Sequence, residues 1–419
     1  MTDHDARDLL RRMLDAAIDA ADPAQVLARH LPEKPCGRCI VVGAGKSAAA
    51  MARAVEVAWP DVDLSGVVVT RYGHAVPTDR ITVREASHPV PDTAAEAATR
   101  EVMEAAAKAR PGDLVLALIS GGGSSLLSLP RSPLKLDDLI AVNRLLLSSG
   151  LSICEMNKVR RRLSQVKGGG LARAAGKARL VTLAISDVPG DDPEAIASGP
   201  TVTDPTAHAD LSYLLDKFGA SLPDAAHEML RAPSLDTGDF ESDYRLIATP
   251  QASLEAAAQM AREAGVVPVI LGDALEGEAR ELGIVMAGIA KAVARHGTPA
   301  APPAVLISGG ETTVTVSNRT PGRGGRNTEF LLSLALALNG HSGISALAAD
   351  TDGIDGTENA AGAIIGPDFP RDAALAGIDA RRILEMHDSF TVFDQLGCLV
   401  ETGPTLTNVN DFRAIMIQG

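Results

Sequence analysis

Several short stretches of this 419-residue chain gather glycine, hydroxyl and charged residues in patterns suited to holding anions. The first is Gly43-Ala44-Gly45-Lys46-Ser47, directly after the apolar run Cys39–Val42. A Walker A loop would need glycine at position 40, where the chain has Ile40. A G-x-G-x-x-A dinucleotide fingerprint fits the spacing, but Val67-Val68-Val69-Thr70 is followed by Arg71, not by the acidic residue that would hold an NAD ribose. That disfavours NAD and leaves NADP open. A third reading is a small phosphate or carboxylate site, in which Gly43 and Gly45 let backbone N–H groups approach and Lys46 adds a point charge. A purely structural turn is the fourth.

Ser120-Gly121-Gly122-Gly123-Ser124-Ser125 offers consecutive backbone donors and three hydroxyls at the head of a helix, either an anion nest or a tight turn. Ser124 is a poor hydrolytic nucleophile, because the loop is not G-x-S-x-G and no histidine is tied to it by local spacing. The run Glu155-Met156-Asn157-Lys158-Val159-Arg160-Arg161-Arg162, with Lys167-Gly-Gly-Gly170 beyond it, is the one dense basic cluster. It is a solvated helix face or a set of phosphate contacts. Two acidic loops, Ser186-Asp187-Val-Pro-Gly-Asp191-Asp192 and Asp350-Thr-Asp352-Gly-Ile-Asp355-Gly, carry carboxylates that could hold Mg²⁺ or cap a helix. The second lacks the spaced Glu of an EF-hand. Arg326 and Asn327, in Gly324-Gly325-Arg326-Asn327-Thr328-Glu329, head an Ala/Leu-rich helix. An arginine there opposes the helix dipole unless an anion lies nearby, and a transferring phosphoryl group would supply one. His88, in a Pro-framed loop, reads first as a hydrogen-bonded structural residue. Cys36-Gly-Arg-Cys39 runs straight into a strand and reads as a strand lead-in, not as a redox or zinc motif.

Those loops need a scaffold that delivers them to one place. The repeating sequence of apolar run, Gly/Ser/Asp loop and Ala-rich amphipathic stretch predicts a mostly parallel sheet covered by helices, with strands at Cys39–Val42, Leu114–Ile119 and Leu180–Ile185. Ala6–His30 has helical spacing. The rhythm restarts at Tyr244–Ala248, Val267–Leu271, Ala304–Ile307 and Ile344–Ala348, after a loop-like stretch around Ser234–Asp243, which places a domain boundary near residue 240. Ala304-Val-Leu-Ile-Ser308-Gly309-Gly310-Glu311 repeats the design of Leu116-Ala-Leu-Ile-Ser120-Gly-Gly-Gly. Ligands in such sheets sit beyond the carboxyl ends of the strands.

Length alone argues for two domains. A net charge of −14 excludes a nucleic-acid or anionic-membrane surface as main partner. Four scattered cysteines exclude a disulfide framework, and the acidic start Met1-Thr-Asp-His-Asp, with no apolar run of membrane-spanning length, points to the cytoplasm.

Together with Ser87-His88-Pro-Val-Pro-Asp92, Ser198-Gly-Pro-Thr201 and Thr402-Gly-Pro-Thr405, these motifs resemble the glycerate kinase family whose C-terminal half is a MOFRL domain. Some members of that family carry the name hydroxypyruvate reductase. Leu406 stands where the family pattern has glycine. The resemblance implies a Rossmann-like three-layer α/β domain with a mostly parallel sheet over 1–240, a smaller mixed α/β domain over 241–419, and an active site in the cleft between them. It implies ATP-dependent phosphorylation of D-glycerate, 2-phosphoglycerate favoured, with Mg²⁺, and places the catalytic pair on Lys46 and Arg326. Gly43, Gly45, Ser47, Ser120 to Ser125, Asn157, Lys158, Arg160, Ser308, Gly309, Gly310, Glu311 and Asn327 are then the binding residues, and Asp187 and Asp352 the metal candidates. ATP and glycerate are the expected small-molecule partners, with a homodimer among the open oligomeric options. The competing readings are an NAD(P)H-dependent hydroxypyruvate reductase and a non-enzymatic sugar-phosphate sensor.

Overall fold

In a computed structural model, residues 1–232, 240–316 and 322–419 are described. They divide into two units, 23–247 and 1–22 together with 248–419.

The sheet of the first unit is built from β1 (Cys39–Ala44), β2 (Leu64–Arg71), β3 (Thr82–Ala86), β4 (Leu114–Ile119), β5 (Arg179–Ile185) and β6 (Asp243–Ala248). Their order is β3-β2-β1-β4-β5-β6, the order of dinucleotide-binding sheets, and β3/β2, β2/β1, β1/β4 and β4/β5 all pair in parallel. Every residue of β1 and β4 is buried, as expected for strands covered on both faces. The Ala-rich helix Thr93–Ala107 takes one face, setting Ala95, Ala98 and Val102 on Ile40, Val42, Val115 and Ala117. A separate helical cluster packs Leu139, Val142 and Leu146 against Val159, Leu163 and Leu214. It fixes the helix Ile153–Arg162, which carries the basic run.

The second unit contains β7 (Val267–Gly272), β8 (Gly277–Glu278), β9 (Ala304–Ser308), β10 (Thr312–Thr313), β11 (Ile344–Asp350), β12 (Gly362–Ile365), β13 (Leu399–Val400) and β14 (Asp411–Ile417). Six of these form a mixed sheet in the order β13-β12-β11-β14-β9-β7, with only β7/β9 parallel. Alternate residues face opposite sides. Val305, Ile307, Leu347 and Ala414 meet the helix Asp3–Asp19 through Leu9, Leu10 and Met13. Leu306, Ala346, Ala348 and Ile415 meet Met286, Phe330 and Leu334 of the helices Ala279–His296 and Arg326–Leu338.

Two placements differ from the sequence expectation. The first helix belongs with the second unit, and Tyr244–Ala248 closes the first sheet instead of opening the second. An amphipathic stripe announces that a helix will be buried but carries no information about which sheet buries it. Residues 234–239 of the expected boundary stretch lie outside the described residues.

Candidate functional site

The strand order of the first sheet reverses between β1 and β4, so the loops after these two strands flank the crevice where α/β sheets bind ligands. The first loop does not offer its backbone there. Gly45 N–H donates to Val69 O (3.0 Å), Lys46 N–H to Gly121 O (2.8 Å), Ser47 N–H to Ser120 Oγ (3.0 Å) and Ala48 N–H to Gly45 O (3.1 Å). The glycines are explained by packing: a Cβ on Gly43 would lie 1.9 Å from Leu118 O, and one on Gly45, at φ 143°, 2.0 Å from Ser120 Oγ. Ser47 is fully buried and its hydroxyl has no partner among the described residues. The loop therefore contributes the Lys46 side chain, whose Cγ lies 3.5 Å from where a Gly122 Cβ would be, beside the His88 ring at 2.9 Å from the same point.

The second loop does face a pocket. Gly122 adopts φ 78° and starts the short helix Gly123–Leu126. No acceptor among the described residues takes the amides of Gly121 or Gly122. The pocket has a volume of about 200 Å³ and is lined by Gly122, Ser124, Ser125 and His88 together with Arg144, Arg160 and Lys167, with no carboxylate among the described lining residues. Lys167 is buried, donating from Nζ to Ser124 O (2.6 Å) and Leu127 O (2.7 Å). Burial, reinforced by the Arg160 charge, brings its pKa down to about 7. Burial also lowers that of Arg160.

The helix Ile153–Arg162 sorts its basic residues by face. Arg160 donates from Nε to Asn143 Oδ1 (3.0 Å) and from Nη1 to Asn157 Oδ1 (3.2 Å), at the pocket wall. Arg161 pairs with Asp204 (3.0 Å), and Arg162 donates to the carbonyls of Ala207 and Ala209 (both 3.0 Å), so these two are structural. Lys158 is half-buried and does not line the pocket.

In the second unit, Ser308-Gly309-Gly310-Glu311 occupies the same topological place after β9, in the opposite electrostatic setting. Arg326 heads its helix, donating from Nε to Asp411 Oδ1 (2.7 Å), from Nη1 to Glu311 Oε1 (2.7 Å) and from Nη2 to Asp350 Oδ2 (2.8 Å). Burial alone would lower its pKa, but the three carboxylates outweigh burial and raise it. The nearby anions that the helix position of this arginine calls for are thus supplied by the protein's own carboxylates. Asn327 donates from Nδ2 to Asp411 Oδ1 (2.7 Å), and its Oδ1 is buried without a partner among the described residues. Asp355 caps the same helix, accepting from the amides of Asn327 (3.0 Å) and Thr328 (2.9 Å). Gly309 O receives Arg413 Nη1 (3.0 Å), Gly310 packs on the Leu275 backbone, and the Ser308 hydroxyl is buried without a partner among the described residues.

Asp352 is 2% exposed, with Oδ1 accepting from Ile354 N–H (2.9 Å). Asp187 follows β5 and is half-buried. Among the described residues, no three His, Cys, Asp or Glu side chains converge as a metal cage, and no helix is long and apolar enough to cross a membrane. Sequence reasoning missed Asn143, Arg144, Asp411 and Arg413, and named Lys167 and Ser198 only within motifs, without a role of their own. The glycine triplet after Lys167 was the available signal; Asp411 and Arg413 carry none, because only strand pairing brings them to Ser308 and Asp350.

Residues 9–231 match the family described as "Domain of unknown function (DUF4147)", and residues 304–411 match the MOFRL family. The chain is 58% identical to an Agrobacterium vitis protein named "Putative hydroxypyruvate reductase", over 99% of this chain and 95% of that one. It is 39% identical to the D-glycerate 2-kinase of Thermotoga maritima, over 94% of each. A crystal structure of glycerate kinase from Thermotoga maritima superposes with a TM-score of 0.90 at 37% identity, covering 99% of this chain and 100% of that one. With both halves matched and these relatives aligned over nearly their whole length, the chain belongs to the glycerate kinase family that joins a DUF4147 region to a C-terminal MOFRL domain.

Proposed function

We propose that the protein transfers the γ-phosphoryl group of ATP to a hydroxyl of D-glycerate, giving 2-phosphoglycerate. The observation that carries this reading is the cationic pocket: Arg144, Arg160 and Lys167 line it, with no carboxylate among the described lining residues, in a chain of net charge −14. Such a local field draws a small anion while the rest of the surface repels polyanions. The similarity to D-glycerate 2-kinase names the anion.

Phosphoryl transfer asks the protein mainly for positioning and for charge near the migrating group. Arg160 and Lys167 hold the glycerate carboxylate, and Lys46, beside Gly122 and His88, meets the charge developing on the phosphoryl oxygens. Arg326 is prevented from rotating by its three carboxylates and keeps two N–H groups for a phosphate oxygen. Mg²⁺ keeps most of its waters and takes one or two protein carboxylates, shielding the phosphate charge when bound. Asp187, half-buried after β5, suits that role; Asp352, nearly inaccessible and engaged by Ile354 N–H, does not.

The reductase reading is favoured by the name of the Agrobacterium vitis relative. Against it stands the first loop, whose amides from Gly45 to Ala48 are donated within the protein and so cannot cradle a pyrophosphate. Two mixtures separate the readings: glycerate with ATP and Mg²⁺, assayed for ADP, and hydroxypyruvate with NADPH, followed by absorbance. ADP is expected from the first and no oxidation in the second. Turnover only in the second would make the protein a reductase, and turnover in neither would make it a sensor.

A further inference from the structure

Of the four serines lining the pocket, Ser124, Ser125 and Ser128 have their protons committed inward, whereas Ser164 Oγ accepts from the amides of Val166 (3.2 Å) and Lys167 (3.3 Å). Ser125 Oγ–H donates to Gly122 O (3.1 Å) and Ser128 Oγ–H to Ser125 O (2.8 Å), and a carbonyl can only accept. Ser124 Oγ lies 2.9 Å from Ser198 Oγ, a contact that either hydroxyl could donate by distance alone. The chain beyond decides it. Arg160 Nη1 faces the Asn157 side chain at 3.2 Å, and a guanidinium has no lone pair to offer, so the atom facing it is Oδ1. Ser198 Oγ, 3.2 Å from that same oxygen, must then spend its proton on it. Ser124 is left as donor to Ser198. The polarity Ser124 to Ser198 to Asn157, with Arg160 donating from the far end, is fixed by chemistry.

The backbone is built to hold this relay. Ala197 and Ser198 sit at φ 51° and 62°, a left-handed conformation costly for residues with a Cβ, and Ser198 O receives Gly168 N–H (3.1 Å). Lys167 pins Ser124 from the other side through its carbonyl. Ser198 and Asn157 are 1% and 3% exposed, so water does not scramble the relay, whereas Ser124 opens on the pocket. No donor among the described residues reaches Ser124 Oγ.

We infer that Ser124, Ser125 and Ser128 form a hydroxyl-reading row: they accept hydrogen bonds from the hydroxyls of a small hydroxy acid and do not donate to its anionic group, which is left to Arg160 and Lys167. Ser198 and Asn157 are positioning residues that set this polarity. The inference deepens the proposed function, resting on its assignment of the acceptor substrate to this pocket. A site with a committed acceptor discriminates against analogues that lack the hydroxyl.

The test is calorimetric titration of the full chain with D-glycerate, D-lactate, 3-hydroxypropionate and, by competition, propionate. For Ser124→Ala, glycerate affinity falls about tenfold while propionate affinity changes less than about twofold. Ser198→Ala releases the Ser124 proton and narrows the glycerate-to-propionate preference by a similar factor. Asn157→Asp, which still accepts from both neighbours, retains the preference, and a fold defect would not produce that split. Equal weakening of propionate and glycerate in Ser124→Ala, no weakening of either, or a wild type that binds glycerate no better than propionate would overturn the inference. Ser124-dependent preference without ADP formation would uphold it while removing the kinase reading. ADP formation with glycerate binding unaffected in Ser124→Ala would do the reverse.

Discussion

Raising the pH removes the Lys167 charge without altering the shape of the pocket. The neutral amine still has two N–H groups, enough for the Ser124 and Leu127 carbonyls that it already serves. With its pKa brought down to about 7 by burial and by Arg160, the charge is lost across a range where glycerate stays ionised and Arg144 and Arg160 stay cationic. An anion about 5 Å from the ammonium, at an effective dielectric constant near 20, gains about 3 kcal/mol, equivalent to a pKa rise of about 2 units on binding. Glycerate affinity should therefore fall by close to tenfold per pH unit above about pH 7 and level off near pH 9, about a hundredfold weaker. The assay is the KM for glycerate at saturating ATP and Mg²⁺, checked by direct titration of glycerate. Lys167→Met should be weak throughout and flat in pH. A flat profile in the wild type, or the same slope surviving in Lys167→Met, would refute the assignment of this lysine to the anion.

Lys167 also predicts a sign for stability. Because its folded pKa lies below the unfolded value, the unfolded state binds more protons between pH 7 and 10, so the wild type should gain denaturant stability relative to Lys167→Met as the pH rises through that window. Lys46→Ala should cut turnover by about 10²–10⁴ with an unchanged melting temperature, since the lysine side chain is only half-buried. Arg326→Ala should not behave so cleanly: it abandons the Asp411 and Asp350 carboxylates, 0% and 6% exposed, at a cost of about 3–5 kcal/mol. Adding Asp350→Asn should restore part of that stability in chemical denaturation, and no activity. Gly45→Ala, forced to φ 143° and against Ser120 Oγ, should lose about 3 kcal/mol or more and express poorly.

The strands β1, β4 and β5 of the first sheet were legible because each is a short apolar run closed by a glycine or serine loop, and Leu114–Ile119 is bounded as its pattern suggests; β3, Thr-Val-Arg-Glu-Ala, has no such run. The antiparallel strands β12, β13 and β14 were not, since mostly apolar runs of four, two and seven residues resemble any buried segment. Yet β14 holds Asp411, on which the Arg326 cluster depends. Lys46, Arg160 and the Ser120–Ser125 loop stood out as charge and glycine beside strand ends. What composition could not convey is hydrogen-bond direction: the hydroxyls of Ser124 and Ser125 read as part of an anion nest until the Ser198 hydroxyl and the Gly122 carbonyl are seen to claim their protons. The same holds for the two Ser-Gly-Gly loops, alike in sequence but set among cations in one unit and carboxylates in the other.

Phosphorus NMR of the protein incubated with D-glycerate, ATP and Mg²⁺ bears most directly on the proposed kinase activity. The γ-phosphate resonance should disappear as a phosphomonoester appears, split into a doublet by the single proton on the 2-carbon. A triplet would move the phosphate to the 3-hydroxyl. An unchanged ATP spectrum, with NADPH consumed when hydroxypyruvate is supplied instead, would contradict the account.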